Sequence, residues 1–246
     1  MLNLKGLSLS AGAFQVRDIN LTVAQSHYFV IMGSTGSGKS LLVKAICGII
    51  PIQAGTVHID GKDVTHCEPK DRQIGYIPQN SGLFPQHSVL DNILFPLKIR
   101  KIKKNQAQEQ VAPIVEALHI GHLLHRSTLN LSGGEQQKIA LARALSFSPK
   151  LLIFDEPVSA LDEPTRCEIC TMLKTIQQEF AITTIQICHN LEEARIVSDR
   201  VAIMSEGCIV QTGPLDTLIK QPESPAVQHI LRIPPPSQQE TNPTGN

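Results

Sequence analysis

Tyr28-Phe29-Val30-Ile31-Met32 runs without a break into Gly33-Ser34-Thr35-Gly36-Ser37-Gly38-Lys39-Ser40, and this junction decides the fold. The first five residues form a short apolar run of strand length. The next eight match GxxxxGK[ST], in which glycine and serine let successive backbone amides point inward at a phosphate. A helical stretch over 40–49 follows, with Gly48 near its end. Strand, glycine-rich turn and helix are the context this motif requires. Backbone N–H groups of Gly36 to Lys39 are expected to wrap a β-phosphate. Lys39 would reach the β- and γ-phosphates, and the Ser40 hydroxyl would ligate Mg2+.

Outward from the junction, strands are expected at 2–4, 16–23 and 57–59, the last running into the Asp60-Gly61 turn. The middle, about 86–146, changes character: 89–102 and 106–118 have helical spacing and few turn signals. After Pro149, strand and helix alternate over 151–154, 163–180, 183–187, 191–198, 201–204, 209–211 and 214–219. Such alternation predicts an α/β fold with a mainly parallel sheet covered by helices. From Ile233 the chain carries Pro234-Pro235-Pro236 and then small polar residues, a composition that builds no core, so 233–246 is expected to be a disordered tail. No internal repeat is apparent.

A second stretch, Leu131-Ser132-Gly133-Gly134-Glu135-Gln136-Gln137, reads as a capping box, with Ser132 as N-cap and Glu135 three residues on, opening a helix over 136–145. Two glycines in that first turn each cost about 1 kcal/mol relative to alanine. A helix that needed only a cap would not carry both. They let another group approach the backbone, and a helix N-terminus attracts phosphate. In a third stretch, Leu151-Leu152-Ile153-Phe154 delivers Asp155-Glu156-Pro157 to the carboxyl end of a buried strand, where ligands gather in open α/β sheets.

These three stretches, in this order, resemble the nucleotide-binding subunit of an ATP-binding cassette (ABC) transporter, over essentially residues 1–230. The resemblance implies a P-loop NTPase fold of the RecA-like kind. Its mainly parallel sheet would carry an N-terminal antiparallel β subdomain and an inserted α-helical subdomain at about 86–146, all within a nucleotide-binding domain of 1–232. It implies ATP and Mg2+ as ligands and hydrolysis of ATP to ADP and phosphate. Gly33, Ser34, Thr35, Gly36, Ser37, Gly38, Lys39 and Ser40 would hold the nucleotide. Asp155 becomes the Walker B aspartate, holding Mg2+ through water, and Glu156 polarises the attacking water. His189, at another strand end, matches the histidine that contacts the γ-phosphate; Asn190 follows it where many relatives carry Asp. Gln79, in Tyr76-Ile77-Pro78-Gln79-Asn80, matches the Q-loop glutamine that senses Mg2+ and water. Asp162, in Ser159-Ala160-Leu161-Asp162, falls at the family's spacing and would help to bind the nucleotide. Phe14 sits where the family stacks an aromatic on adenine, although a single aromatic in a β-rich segment reads equally as core.

The resemblance also implies two copies paired head to tail, with Ser132, Gly133, Gly134 and Glu135 of one covering ATP held by the other. That arrangement would supply in trans the positive field that phosphoryl transfer needs. The helical insert would present a groove to a short helix of a membrane permease. Leu83, Phe84, Pro85, Val89 and Ile93 are apolar residues in that region, some of them belonging to the subdomain core. The stretch Ile74 to Pro85 and the following Val89-Leu90-Asp91-Asn92-Ile93 are most similar to molybdate/tungstate importer ATPases, so the expected role is powering oxyanion uptake. Sulfate, iron or polyamine importers are the alternative. Cargo selection would reside in a substrate-binding protein and the permease. No C-terminal regulatory domain is expected. A translation-type protein needs two cassettes, a chromosome-maintenance ATPase needs a coiled coil that 41–130 leaves no room for, and a P-loop kinase or GTPase lacks the family's signature stretch, here Leu131 to Gln137.

Composition agrees. Lys plus Arg and Asp plus Glu stand at 22 each in 246 residues, which gives no global pull toward nucleic acid or anionic lipid. No apolar run approaches the ~18 to 20 residues that span a bilayer, and 1–6 lacks a secretory pattern. The expected location is the cytoplasmic face of the membrane, as a peripheral subunit. Six cysteines, several beside apolar neighbours, suit buried thiols in a reducing compartment. Cys167 and Cys170 make a CxxC with no second Cys or His pair nearby, and His119, His122 and His125 step around a helix rather than along one face. Lys98-Ile99-Arg100-Lys101-Ile102-Lys103-Lys104 is expected to be a solvated helix face with Ile99 and Ile102 turned inward, proximity to lipid headgroups being the second choice.

Overall fold

The computed structural model describes residues 2–233; the proline-rich tail expected at 233–246 lies outside them apart from Ile233. The chain opens with the hairpin β1 (Leu2–Ala11) and β2 (Phe14–Val23), followed by β3 (Tyr28–Met32), α1 (Lys39–Ile46), β4 (Ala54–Ile59), β5 (Lys62–Asp63) and β6 (Ile74–Ile77). Then come α2 (Val89–Ile99), α3 (Lys104–Ala117), α4 (Gly133–Leu145) and β7 (Leu151–Asp155). The remainder alternates: α5 (Glu163–Glu179), β8 (Thr183–Cys188), α6 (Leu191–Val197), β9 (Arg200–Ser205), β10 (Cys208–Gly213), α7 (Leu215–Lys220) and α8 (Pro225–Ile230).

The main sheet has the order β10-β9-β3-β8-β7-β6. All of its neighbours pair in parallel except β10, which lies antiparallel on β9. A second sheet, β2-β1-β4-β5, is antiparallel throughout. This is the α/β architecture with an N-terminal antiparallel layer that the sequence predicted. Strand β3 explains the layering: Phe29 and Ile31 pack toward α1 and the antiparallel sheet, while Tyr28, Val30 and Met32 pack toward the helices on the opposite face. A strand covered on both faces needs an unbroken apolar run, and β3 has one.

The structure departs from the sequence expectations in three places. β1 extends to Ala11 rather than ending at Leu4. Its buried leucines, Leu2, Leu4, Leu7 and Leu9, slip by one between Leu4 and Leu7, where the pairing register shifts and Gly6 takes φ 60°. That irregularity broke the period-two signal. Helix α4 starts at Gly133 instead of 136, because the capping box fixes the first turn despite its glycines. The basic stretch 98–104 is not one helix face: α2 ends at Ile99, Lys101 takes φ 58°, and α3 begins at Lys104. Ile99 and Ile102 are therefore exposed, at 63% and 38%, rather than turned inward.

The Arg72 side chain supports the loop-bearing helix from below. It is buried and donates to the carbonyls of Ala45 (3.1 Å) and Ile46 (2.8 Å) at the end of α1, and to Thr65 (2.9 Å) and Cys67 (3.0 Å). A cation here satisfies orphan carbonyls and complements the helix dipole. Gly48 is required beside it, since a Cβ there would stand 2.5 Å from Arg72 Nε.

Candidate nucleotide site

The parallel register brings the loops together. Met32 pairs with Cys188 and Asp155 with Ile187, so Gly33, Glu156 and His189 leave neighbouring strands at the same carboxyl edge. Ligands of open α/β sheets collect at that edge.

Between β3 and α1, Gly36 and Gly38 take φ 81° and 101°, values that L side chains rarely adopt. A Cβ on Gly33 would stand 2.3 Å from the Met204 carbonyl oxygen. Glycine is thus demanded by turn geometry at Gly38 and by close approach at Gly33. Lys39 is folded across the loop, donating to the carbonyls of Gly33 at 2.8 Å and Ser34 at 2.9 Å. Burial lowers its pKa, while Glu156 and Asp155 pull in the opposite direction. Its present partners are neutral carbonyls, and an anionic phosphate would be the stronger acceptor.

Asp155 is buried and accepts two bonds: Ser40 Oγ donates to Oδ1 at 3.0 Å and Tyr76 Oη to Oδ2 at 3.2 Å. A hydroxyl beside a carboxylate is a hard-oxygen donor pair of the kind Mg2+ prefers. Glu156 follows with φ 52°, a left-handed conformation for a non-glycine residue and the sort of strain that clusters at functional sites. Its carboxylate lies 3.6 Å from His189 Nδ1. Gln79 Nε2 donates to Ser159 Oγ at 3.3 Å, and Ser159 Oγ donates to the Glu156 carbonyl at 3.1 Å. Phe14 is half-buried; with Ser34, Thr35, Gly36 and Ser37 it lines an open crevice of about 410 Å³.

The structure therefore gathers residues 33–40, Asp155, Glu156, His189, Gln79 and Phe14. It does not gather the rest. Ser132, Gly133, Gly134, Glu135 and Asp162 form no hydrogen bond with residues 33–40 among the described residues. Ser132 Oγ accepts from the Glu135 N–H at 3.3 Å, and Glu135 Oε2 accepts from the Ser132 N–H at 2.7 Å, the bond that chiefly holds the Glu135 carboxyl below its ordinary pKa. Asp162 caps α5, accepting from the Thr165 N–H at 3.3 Å. At Gly133 a Cβ would meet the flexible end of Leu161 at 2.6 Å, but at Gly134 it would meet only ordinary contacts at 3.6 Å. Nothing among the described residues explains Gly134.

Three participants escaped the sequence reading. Tyr76 and Ser159 have polar ends joined to site residues. Arg143 donates to the carbonyls of Ser81 (2.9 Å) and Gly82 (2.6 Å), just past Gln79. Tyr76 carried a faint signal, a hydroxyl at a strand end otherwise made of Gly75 and Ile77; the other two carried none. Ile49, Phe84, Phe95, Pro96, Ile99 and Phe147 line a crevice of about 420 Å³ that Tyr76 also borders. Val89 and Ile93 are fully buried in the helical core, as is Leu97. The three histidines lie at and beyond the end of α3, where His119 takes φ 54°. Cys170 is buried and Cys167 exposed.

Known proteins share this arrangement. A molybdate/tungstate import ATP-binding protein, WtpC, of Pyrococcus horikoshii is 41% identical over 231 residues, 94% of this chain and 67% of that protein. A sulfate/thiosulfate import ATP-binding protein, CysA, of Bacillus cereus is 36% identical over 94% of this chain and 66% of its own length. Among solved structures, the dimeric ATP-binding cassette MJ0796, in a post-hydrolysis state bound to ADP and Pi, superposes with a TM-score of 0.74 at 25% identity, covering 87% of this chain and 99% of that one. The fold is that of a P-loop NTPase. Residues 16–159 match the family described as ABC transporter. Because that span takes in the P-loop, Gln79, the Ser132 to Glu135 turn and Asp155 together, over more than half of the chain, this protein belongs to the ABC transporter family.

Proposed function

We propose that this protein is the ATP-hydrolysing subunit of an ABC importer that takes up molybdate or tungstate through a separate membrane permease. The observation that carries the reading is the convergence of Lys39, the Ser40–Asp155 pair, Glu156 and His189 at one sheet edge, while Gly134 has room for a side chain among the described residues. Residues 33–40 cradle the triphosphate, with Lys39 exchanging carbonyl partners for phosphate oxygens. Phe14 stacks on adenine. Ser40 and, through water, Asp155 and Gln79 hold Mg2+, which when bound neutralises charge developing on the phosphates. Glu156 orients and polarises the attacking water, and His189 meets the γ-phosphate. Residues 1–232 act as one nucleotide-binding domain.

Two copies pair head to tail, so that Ser132, Gly133, Gly134, Glu135 and Asp162 of one complete the site of the other. The crevice beside Phe84 and Ile99 receives a helix of the permease, and a substrate-binding protein delivers the cargo. No described helix is long and apolar enough to cross a membrane, in keeping with a peripheral subunit at the cytoplasmic face. Molybdate or tungstate is preferred over sulfate, iron or polyamine on the higher identity to the molybdate/tungstate relative. Glu156→Gln is expected to keep ATP binding, abolish turnover and trap a dimer; brisk steady hydrolysis by that variant would sink the mechanism. For the cargo, ATPase activity of the permease complex should rise with binding protein carrying molybdate or tungstate. Stimulation by the sulfate-loaded form alone would overturn the substrate.

A further inference from the structure

The Walker B carboxylate is held on both of its oxygens, and only one of the two holders belongs to the motif set. Ser40 Oγ, on α1, donates to Asp155 Oδ1 at 3.0 Å. Tyr76 Oη, on β6, donates to Oδ2 at 3.2 Å. Strand β6 runs parallel to β7 with Tyr76 opposite Ile153, so the phenol reaches past the end of its neighbour to the aspartate. The ring is half-buried. A phenylalanine would pack in the same space, whereas a hydroxyl taken out of water costs stability unless it finds an acceptor. The phenol has one proton to donate, and Asp155 Oδ2 accepts it. Gln79 leaves the same strand and bonds Ser159, so one short segment touches the aspartate at one point and the Glu156 loop at another.

We propose that Tyr76 is a positioning residue for the metal: its hydroxyl pins Asp155 Oδ2, turns Oδ1 toward Ser40 where Mg2+ enters, and ties metal occupancy to the segment that carries Gln79. This rests on the assignment of Mg2+ to Ser40 and Asp155. Partners in the second layer of metal sites orient the inner ligands, and their loss typically weakens metal affinity by roughly 10 to 100-fold. Since Asp155 keeps its bond from Ser40 when Tyr76 is changed, the low end applies.

The test uses the full chain carrying Glu156→Gln, so that turnover does not intrude, and follows binding of a fluorescent ATP analogue as Mg2+ is raised. Tyr76→Phe is expected to raise the Mg2+ midpoint roughly tenfold while leaving analogue affinity without metal unchanged. In an Asp155→Asn background, the same substitution should add no further shift, as expected when two groups act through one contact. A Tyr76→Phe midpoint within twofold of the parent overturns the proposal. So does an equal loss of affinity with and without Mg2+, which is what a packing role would produce. If Asp155→Asn itself leaves the midpoint unmoved, the metal assignment fails as well; if it moves the midpoint and Tyr76→Phe does not, only the role of Tyr76 falls.

Discussion

Arg143 Nη1 donates to the Gly82 carbonyl at 2.6 Å and Nη2 to Ser81 at 2.9 Å, so the helix opened by the Ser132–Glu135 capping box also holds the loop after Gln79. One rigid helix thus carries the Ser132 capping box at one end and the brace on the loop after Gln79 at the other. Ser81 takes φ 59°, a conformation the arginine fork helps to maintain. Arg143→Met should destabilise the protein by about 2 to 4 kcal/mol, the cost of unpairing two carbonyls from a charged donor. Turnover should fall more than ATP affinity. Arg143→Lys should not rescue it, because an ammonium lacks the fork. A lysine variant with parental melting temperature and turnover would refute this coupling.

Gly134 separates folding from function. A Cβ there meets Ile169 and Thr165 at 3.6 Å, and its backbone is helical. Gly134→Ala should therefore leave the monomer as stable as the parent, or more stable by up to about 1 kcal/mol. ATP-driven dimerisation and hydrolysis should drop sharply, because in the proposed head-to-tail pair the turn that carries Gly134 packs against the partner's nucleotide and tolerates little added bulk. Thermal melts and size-exclusion chromatography with ATP in the Glu156→Gln background measure both quantities. A destabilised monomer, or unimpaired dimerisation, would show that the glycine serves this chain alone.

How much of this was legible in the sequence follows from which signals are local. The P-loop declares itself because its backbone geometry demands Gly36 and Gly38, and Asp155 because it ends a continuous apolar run. The capping box at Ser132 was readable for the same reason. Contacts between segments distant in the chain were not: Tyr76 meets Asp155 across 79 residues and Gln79 meets Ser159 across 80. Ile99 and Ile102 misled because helical spacing alone does not reveal that the chain turns at Lys101 and leaves both exposed. The alternation in β1 slips beside Gly6, so its sequence pattern signals a strand only as far as Leu4.

Arg72 offers a stability test remote from the nucleotide. Its guanidinium bonds four carbonyls drawn from α1 and the segment after β5, and burial lowers its pKa. Removing it strands acceptors in the core and opens space beside Gly48. Arg72→Met should cost about 3 kcal/mol or more and weaken ATP binding secondarily, through fraying of α1. Denaturant unfolding with and without ATP would measure it. A loss under about 1 kcal/mol would mean that water replaces the guanidinium at little cost.

Glu193 gives the pH dependence of stability a sign. Its carboxyl is buried in α6, and burial is the largest influence on it, raising its pKa; Glu156 adds to the rise, while Arg166 and His189 oppose it. Arg166 Nε approaches to 3.6 Å but makes no hydrogen bond, which is why the pairing does not offset the desolvation. A raised folded pKa means that the native state binds the proton more tightly than the unfolded chain does. The corresponding stability is present in full below the ordinary glutamate value of 4.5 and is lost as pH rises through the folded value. Glu193→Gln, which stays uncharged, should therefore gain stability relative to the parent as pH is raised from about 4.5 toward neutrality. Paired melts of the two proteins across that range provide the measurement. A difference that stays flat, or that grows in the parent's favour with pH, would mean that Arg166 holds the carboxylate charged throughout.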